Sequence, residues 1–166
     1  YRGPLFKPLG TTLNAYRSVF KNPNILTGYR NTVIIVLVGT TLNVIMTSMS
    51  AFLLTRKSFA IKNFLAYMMI FTMYFSGGLI PTYLVVFNVL GLGDSLGALI
   101  LPTLISVYNV IIMRSNFAAI PQGLEESARI DGANEFVIFS RIIMPLSMPI
   151  IAVMILFYGV NHWNSW

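Results

Sequence analysis

The 166-residue sequence contains no cysteine, one histidine and five acidic residues. Without thiols there is no disulfide scaffold, no thiolate metal site and no cysteine nucleophile. Charged residues make up 10% of the chain, against about 25% in an average soluble domain. Hydrophobic residues make up 56%, and mean hydropathy is +0.75. Such a chain is too apolar to be disordered and too poor in charge for an ordinary soluble globule. No glycine-rich GxxxxGK[ST] loop occurs, so the chain binds no ATP through a P-loop. No Ser/His/Asp constellation with catalytic spacing is found, and nothing marks the chain as an enzyme.

What is present is a set of uncharged runs: 25 residues at 31–55, 31 at 63–93, 19 at 95–113 and 25 at 142–166. About 20 apolar residues span a bilayer, so each run is long enough. Four such runs leave almost no polar surface for a soluble helical globule, and the first begins too far into the chain for a signal peptide. The predicted spans are Thr32–Leu54, Asn63 to about Ile80, Leu96–Met113, and Ile143 to about Val160. Gly77, Gly78 and Pro81 end the second, and Thr82–Leu90 follows as a surface segment. The predicted fold is therefore all-α: a polytopic transmembrane helical bundle with four spans. Residues 1–30 form an outer arm, with Leu13, Tyr16, Arg17 and Phe20 on a short amphipathic helix. Residues 31–166 form the transmembrane domain. The start at Tyr1 and the stop at Trp166 directly after an apolar run read as a piece of a longer protein with a further span.

The net charge of +6 comes from residues flanking the spans, which argues against nucleic acid. Counting only basic residues close to span ends leaves three on the side of the arm (Arg17, Lys21, Arg30). Six lie on the other (Arg56, Lys57, Lys62, Arg114, Arg129, Arg141), which favours the cytoplasm for residues 114–142. Trp163, Trp166 and Tyr158 suit an aromatic belt at the outer interface.

Four of the five acidic residues fall between Glu125 and Glu135. Pro121 suits a first helical turn, Glu125 and Glu126 suit a helix amino terminus, and Glu125 and Arg129 are spaced for an ion pair. Gly132 interrupts the helical pattern where the chain must turn. Asn134–Arg141 forms a second short helix, and Pro145 marks re-entry into the membrane. The segment reads as a cytoplasmic helix–turn–helix between the third and fourth spans. In the spans, Thr40, Asn43, Thr47 and Ser50 share one face, as do Pro102, Ser106 and Asn109. Such polar stripes either line a water-filled path or pack helices together. Asn43, Thr47, Ser106 and Asn109 are the candidates for a translocation path.

Glu126-Ser127-Ala128, then Gly132, then Ile142, Met144 and Pro145 reproduce the spacing of a cytoplasmic motif. Importer permeases of the ATP-binding cassette class carry it as Glu-Ala-Ala, three residues, Gly, nine residues, Ile, one residue, Leu-Pro. Ser127 and Met144 depart from it conservatively. The strings ESARIDGA, TTLNAYRSVF, YRNTVIIV, GLGDSLGALILP and YGVNHWNSW also resemble that family, so the likeness covers nearly the whole chain. FSGGLIPTYL and NVIIMR resemble its permeases for oligosaccharides or polysaccharide fragments in Gram-positive bacteria.

The resemblance implies a bacterial plasma-membrane permease subunit of a binding-protein-dependent carbohydrate importer, working by alternating access. Its partners would be a cytoplasmic ATPase dimer that binds the ATP, a second permease and an extracellular solute-binding protein. The docking loop would comprise Glu125, Glu126, Ser127, Ala128, Asp131, Gly132, Ile142 and Pro145. Ser127 and Ala128 would allow close approach, while Glu125, Glu126 and Asp131 would carry the charge. A non-sugar cargo and an uncoupled channel are the alternatives. A channel gives no reason for an acidic helix–Gly–helix at this spacing.

Overall fold

The structure, a computed structural model, describes residues 13–165. Arg2, Lys7 and Trp166 lie outside them. Every regular element among the described residues is helical. The elements are α1 (Asn14–Lys21), α2 (Pro23–Thr55), α3 (Lys62–Tyr74), α4 (Leu79–Leu84), α5 (Gly97–Ile100), α6 (Val107–Ala118), α7 (Gln122–Ile130), α8 (Glu135–Ile138), α9 (Met144–Leu146) and α10 (Met148–Trp163). A π-helical turn at Val85–Val89 extends α4, a 3-10 turn at Leu101–Thr103 extends α5, and a second π turn at Phe139–Ile143 joins α8 to α9.

Among the described residues one helix, α2, is by itself long and apolar enough to cross a membrane; the number rises to four if each bent helix pair counts as one span. The 33-residue α2 begins earlier than Thr32, so residues 23–30, expected in the arm, are its first turns. Pro23 occupies the first turn, where its missing N–H costs nothing, and the Asn22 side chain accepts from the Asn24 N–H at 3.0 Å. Tyr16 and Phe20 of α1 are exposed.

The other three predicted spans are each broken. The second stops at Tyr74 rather than near Ile80, because the chain becomes extended at Phe75 and Gly78 sits at φ +83. The predicted surface segment Thr82–Leu90 is instead almost wholly helical, since α4 and its π turn run from Leu79 to Val89 at 118° to α3. The third bends by 52° between Thr103 and Val107 and then runs on to Ala118. The fourth helix starts at Glu135 rather than Ile143 and bends by 82° at Ser147. Pro149 has no N–H to offer the carbonyl of Pro145, so the helical ladder breaks there and not at Pro145 itself. For the same reason the second short helix, expected to end at Arg141, continues to Leu146.

α2 packs against α10 and α6, and the core lies between them: Val44, Ala51 and Phe52 meet Val110, Met113, Phe117, Met154 and Tyr158. The buried stripe of α2 includes Thr40, Asn43, Thr47 and Ser48, while Leu37, Leu42, Ile45, Met49 and Leu53 are exposed. Polar groups buried beside Ile35, Val44, Ala51, Phe52 and Leu54, under an apolar outer face, suit a helix whose outer face meets hydrocarbon. No residue of α3 or α4 is buried, and both present Phe64, Tyr67, Phe71, Tyr74, Ile80 and Tyr83 outward.

Candidate functional site

The acidic segment comprises α7 and α8, with a turn at Gly132 between them. The turn is closed by the Gly132 N–H bonding the Arg129 carbonyl (3.0 Å) and the Ala133 N–H bonding the Ala128 carbonyl (2.9 Å). That pair of bonds is a Schellman ending, which needs a left-handed residue at the position after the cap. Gly132 supplies it at φ +84. Ala128 and Ala133 both pack against the core, giving the turn its apolar contact. Asn134 then caps α8 by accepting from the Val137 N–H at 2.9 Å, a bond worth about 1 kcal/mol.

α7 has two faces. Glu126, Ser127, Ile130 and Asp131 are exposed, whereas Ala128 turns inward and Glu125 is held beneath the helix. Ile130 is 86% exposed and Phe136 of α8 73%, so apolar knobs stand among the outward carboxylates. Ile142 is half-buried outside the core cluster and Pro145 is exposed on α9.

Glu125 does not carry its charge outward as the sequence suggests. Arg56, where α2 ends, grips both of its oxygens: Nη2 donates to Oε1 at 2.8 Å, and Nη1 donates to Oε2. Nη1 also lies 3.5 Å from Glu135 Oε2, and Arg129 donates to the other Glu135 oxygen at 2.7 Å. The predicted Glu125–Arg129 pair is present at 4.0 Å, but as the weaker part of a four-charge network. The Phe52 ring lies 4.1 Å from the Arg56 guanidinium carbon. Arg56 and Glu125 side chains are only 8% and 13% exposed. A two-pronged arginine–carboxylate bond in that setting is geometrically specific. Lys57 adds a bond from Nζ to Gln122 Oε1 at 3.1 Å. The helix–turn–helix is thus fastened to the end of α2 and is not a free loop.

The membrane-depth candidates form a second cluster. The Asn43 amide donates to the carbonyls of Thr103 (2.6 Å) and Leu104 (3.1 Å), where the third helix breaks. These are acceptors that a broken helix leaves open in an apolar setting. With its nitrogen so used, Asn43 accepts through Oδ1 from His162 Nε2 at 3.0 Å. Thr47 and Tyr158 share a hydrogen bond at 2.7 Å, and the Ser106 N–H donates to the Tyr158 hydroxyl at 3.4 Å. Ser106 Oγ caps α6 by accepting from the Asn109 N–H at 3.5 Å. Asn43 and Thr47 are fully buried and tie helices together. Asn43, Ser106 and Asn109 border a cavity of about 410 Å³ that Asn161 and His162 also line; Thr47 does not reach it.

Sequence reasoning assigned no role to His162. The available signal was the i, i+4 pair Tyr158/His162 facing the Gly39/Asn43 pair. Gly39 makes room for the ring: a Cβ there would stand 2.7 Å from His162 Nε2. Gly39→Ala is expected to displace the ring, break its bond to Asn43 and cost about 1–3 kcal/mol, as overpacked cores do. A melting temperature equal to wild type in the purified protein would contradict it.

Residues 39–165 match the family described as "Binding-protein-dependent transport system inner membrane component". The chain is 44% identical over 159 residues to the polygalacturonan/rhamnogalacturonan transport system permease protein YtcP of Bacillus subtilis, covering 96% of this chain and 55% of that one. It is 45% identical over 158 residues to Protein LplC of the same organism, covering 95% and 53% respectively. Its fold is similar to a chain in the crystal structure of a bacterial ABC transporter involved in the import of the acidic polysaccharide alginate. There the TM-score is 0.92 at 29% identity, over 99% of this chain and 59% of that chain. The chain therefore spans somewhat more than half the length of these relatives. On this evidence it belongs to the family of inner membrane components of binding-protein-dependent transport systems.

Proposed function

We propose that the chain is part of a permease subunit of an ATP-driven carbohydrate importer in the bacterial plasma membrane. In this reading α7–Gly132–α8 lies at the cytoplasmic surface as the docking element for a separate ATPase. The observation that carries the proposal is the construction of that element. A rigid turn presents Glu126, Ser127, Ile130, Asp131 and Phe136 outward, while Arg56 joins it to the longest helix of the bundle. Acidic residues around apolar knobs suit a groove with a basic rim. Work delivered to α7 passes through Arg56 to α2, and from α2 through the Asn43 and Thr47 bonds to the break before α6 and to α10. The names of the relatives favour an oligosaccharide or polysaccharide fragment as cargo. Ser106, Asn109 and Asn161, facing the cavity between α2, α6 and α10, are the amide and hydroxyl groups offered to a hydroxyl-rich solute.

The intact protein is expected to co-purify with a separate cytoplasmic ATPase; a self-sufficient transporter isolated without any ATPase would sink the proposal. Orientation has its own test, which is clean because the chain has no cysteine. Both Asn134 and Ser95 are exposed. Asn134→Cys should resist an impermeant thiol reagent in intact cells, and Ser95→Cys should react. The opposite pattern would place α7–α8 outside.

A further inference from the structure

A cavity of about 460 Å³ lies behind α7, between the ends of α2 and α6 and the start of α3. Five cations and three carboxylates line it. The charge is unevenly spent. Arg56 and Arg129 are consumed by Glu125 and Glu135. Among the described residues no ion pair involves Lys57, Lys62 or Arg114, and of the three only Lys57 has a hydrogen-bond partner, the neutral Gln122. Glu126 is the single carboxylate left to oppose them. Lys62 and Arg114 are half-buried, and Arg114 stands a full turn before the end of α6, beside the apolar floor formed by Leu54, Phe117 and Ile120. Lys62 and Arg114 thus have no carboxylate partner among the described residues, which leaves them available to an anion from outside the chain.

We propose that this cavity binds the phosphate group of an anionic phospholipid, held by Lys62 and Arg114 with Lys57 at the mouth. Three observations select a lipid. The cations lie near the ends of three apolar helices: Lys57 just after α2, Lys62 at the first residue of α3 and Arg114 one turn before the end of α6. The floor beside them is apolar. The first turns of α3 next to Lys62 present Phe64, Tyr67 and Met68 outward, the surface along which an acyl chain lies. Basic pockets between helix ends on the cytoplasmic side are known headgroup sites, and guanidinium matches phosphate in geometry. The site would make the α2–α3 connection, and with it the Arg56 tie, sensitive to the charge of the surrounding leaflet. The inference rests on the orientation proposed above, which the cysteine assay reads independently.

The test is native mass spectrometry of the intact protein with its co-purifying partners, equilibrated with phosphatidylglycerol or phosphatidylcholine. Neither a sugar nor ATP turnover is needed, so failure here is distinguishable from failure of the transport assignment. Wild type should retain phosphatidylglycerol and release phosphatidylcholine. Lys62→Gln/Arg114→Gln should weaken retention about 30-fold, at roughly a fivefold step per cation. Arg141→Gln, an exposed cation on the same side but outside the cavity, should leave it unchanged. If the double variant does not reach the membrane, Lys62→Gln alone should show about a fivefold loss, and Lys62→Arg should restore binding. Equal retention of phosphatidylcholine, or equal loss in Arg141→Gln, would overturn the site. Displacement by inorganic phosphate would assign the cavity to a free anion instead. Unchanged lipid with loss of the ATPase would mean that the cations face an acidic protein surface.

Discussion

Replacing Gly132 by valine is expected to leave the protein in the membrane and strongly impair coupled transport. The turn holds Gly132 at φ +84, with both Schellman bonds in place. An L-residue in the left-handed region costs about 1–2 kcal/mol, and a β-branched one is a true outlier there. If the chain relieves that strain by opening the turn, the ratio of closed to open turn falls roughly tenfold. The uncharged helices are untouched, so insertion should not suffer. Among the described residues, chain neighbours aside, nothing lies within 4 Å of a Cβ at position 132, so crowding there does not complicate the reading. Asparagine tolerates the left-handed region, and Gly132→Asn should therefore retain most function if backbone conformation is what matters. Loss in both variants would place a closely seated partner against the turn. The measurements are membrane abundance, ATPase co-purification and ATP hydrolysis stimulated by loaded binding protein. Normal stimulation in Gly132→Val at normal abundance would mean the turn is not the coupling element.

The second large effect belongs to Arg56. Its removal leaves the Glu125 carboxylate, 13% exposed, without its two-pronged partner. Breaking a buried ion pair from one side costs about 3–5 kcal/mol. Arg129 waits 4.0 Å from Glu125, and Glu135 is half-exposed, so Arg56→Met should fall at or below the lower end of that range. The purified protein should melt several degrees lower. Arg56→Met/Glu125→Leu removes both charges, and replacing a buried pair by apolar residues often restores stability. Coupling should not return with it, because the tie between α7 and the end of α2 is gone. A stable double variant with poorly stimulated ATP hydrolysis is the expected result. Unchanged melting and unchanged stimulation in Arg56→Met would show that the network is surface decoration.

These two residues differ in how far the sequence discloses them. Gly132 was legible because its requirement is local: a helix pattern stops, one residue without a side chain sits at the stop, and a second helical segment resumes two positions later. That Ser127 and Asp131, four positions apart, share a face follows from the same short-range helical geometry. Arg56 was legible only as one of six basic residues at span ends. Its partner Glu125 lies 69 positions away, and i, i+4 spacing pointed instead to Arg129. The Asn43–His162 bond, 119 positions apart, was equally invisible.

The sequence by itself determined that the chain is a helical membrane component, where its apolar segments lie, and that an acidic helix–turn–helix interrupts them. Each of these is set by solvation or backbone preference within a window of some twenty residues. Transfer of an uncharged run into lipid is favourable whatever its neighbours do. Only the tertiary structure decided where the helices break and which polar groups hold them. A break inside an apolar segment survives only if something fills the carbonyls it frees. Asn43 on α2 does so for Thr103 and Leu104. Whether Asn43 and Thr47 face a path or a neighbouring helix, and whether Glu125 points outward or into the grip of Arg56, depends on which helix lies alongside. That is a property of the packed bundle, because a buried polar group takes its partner from whatever the fold brings within 3 Å.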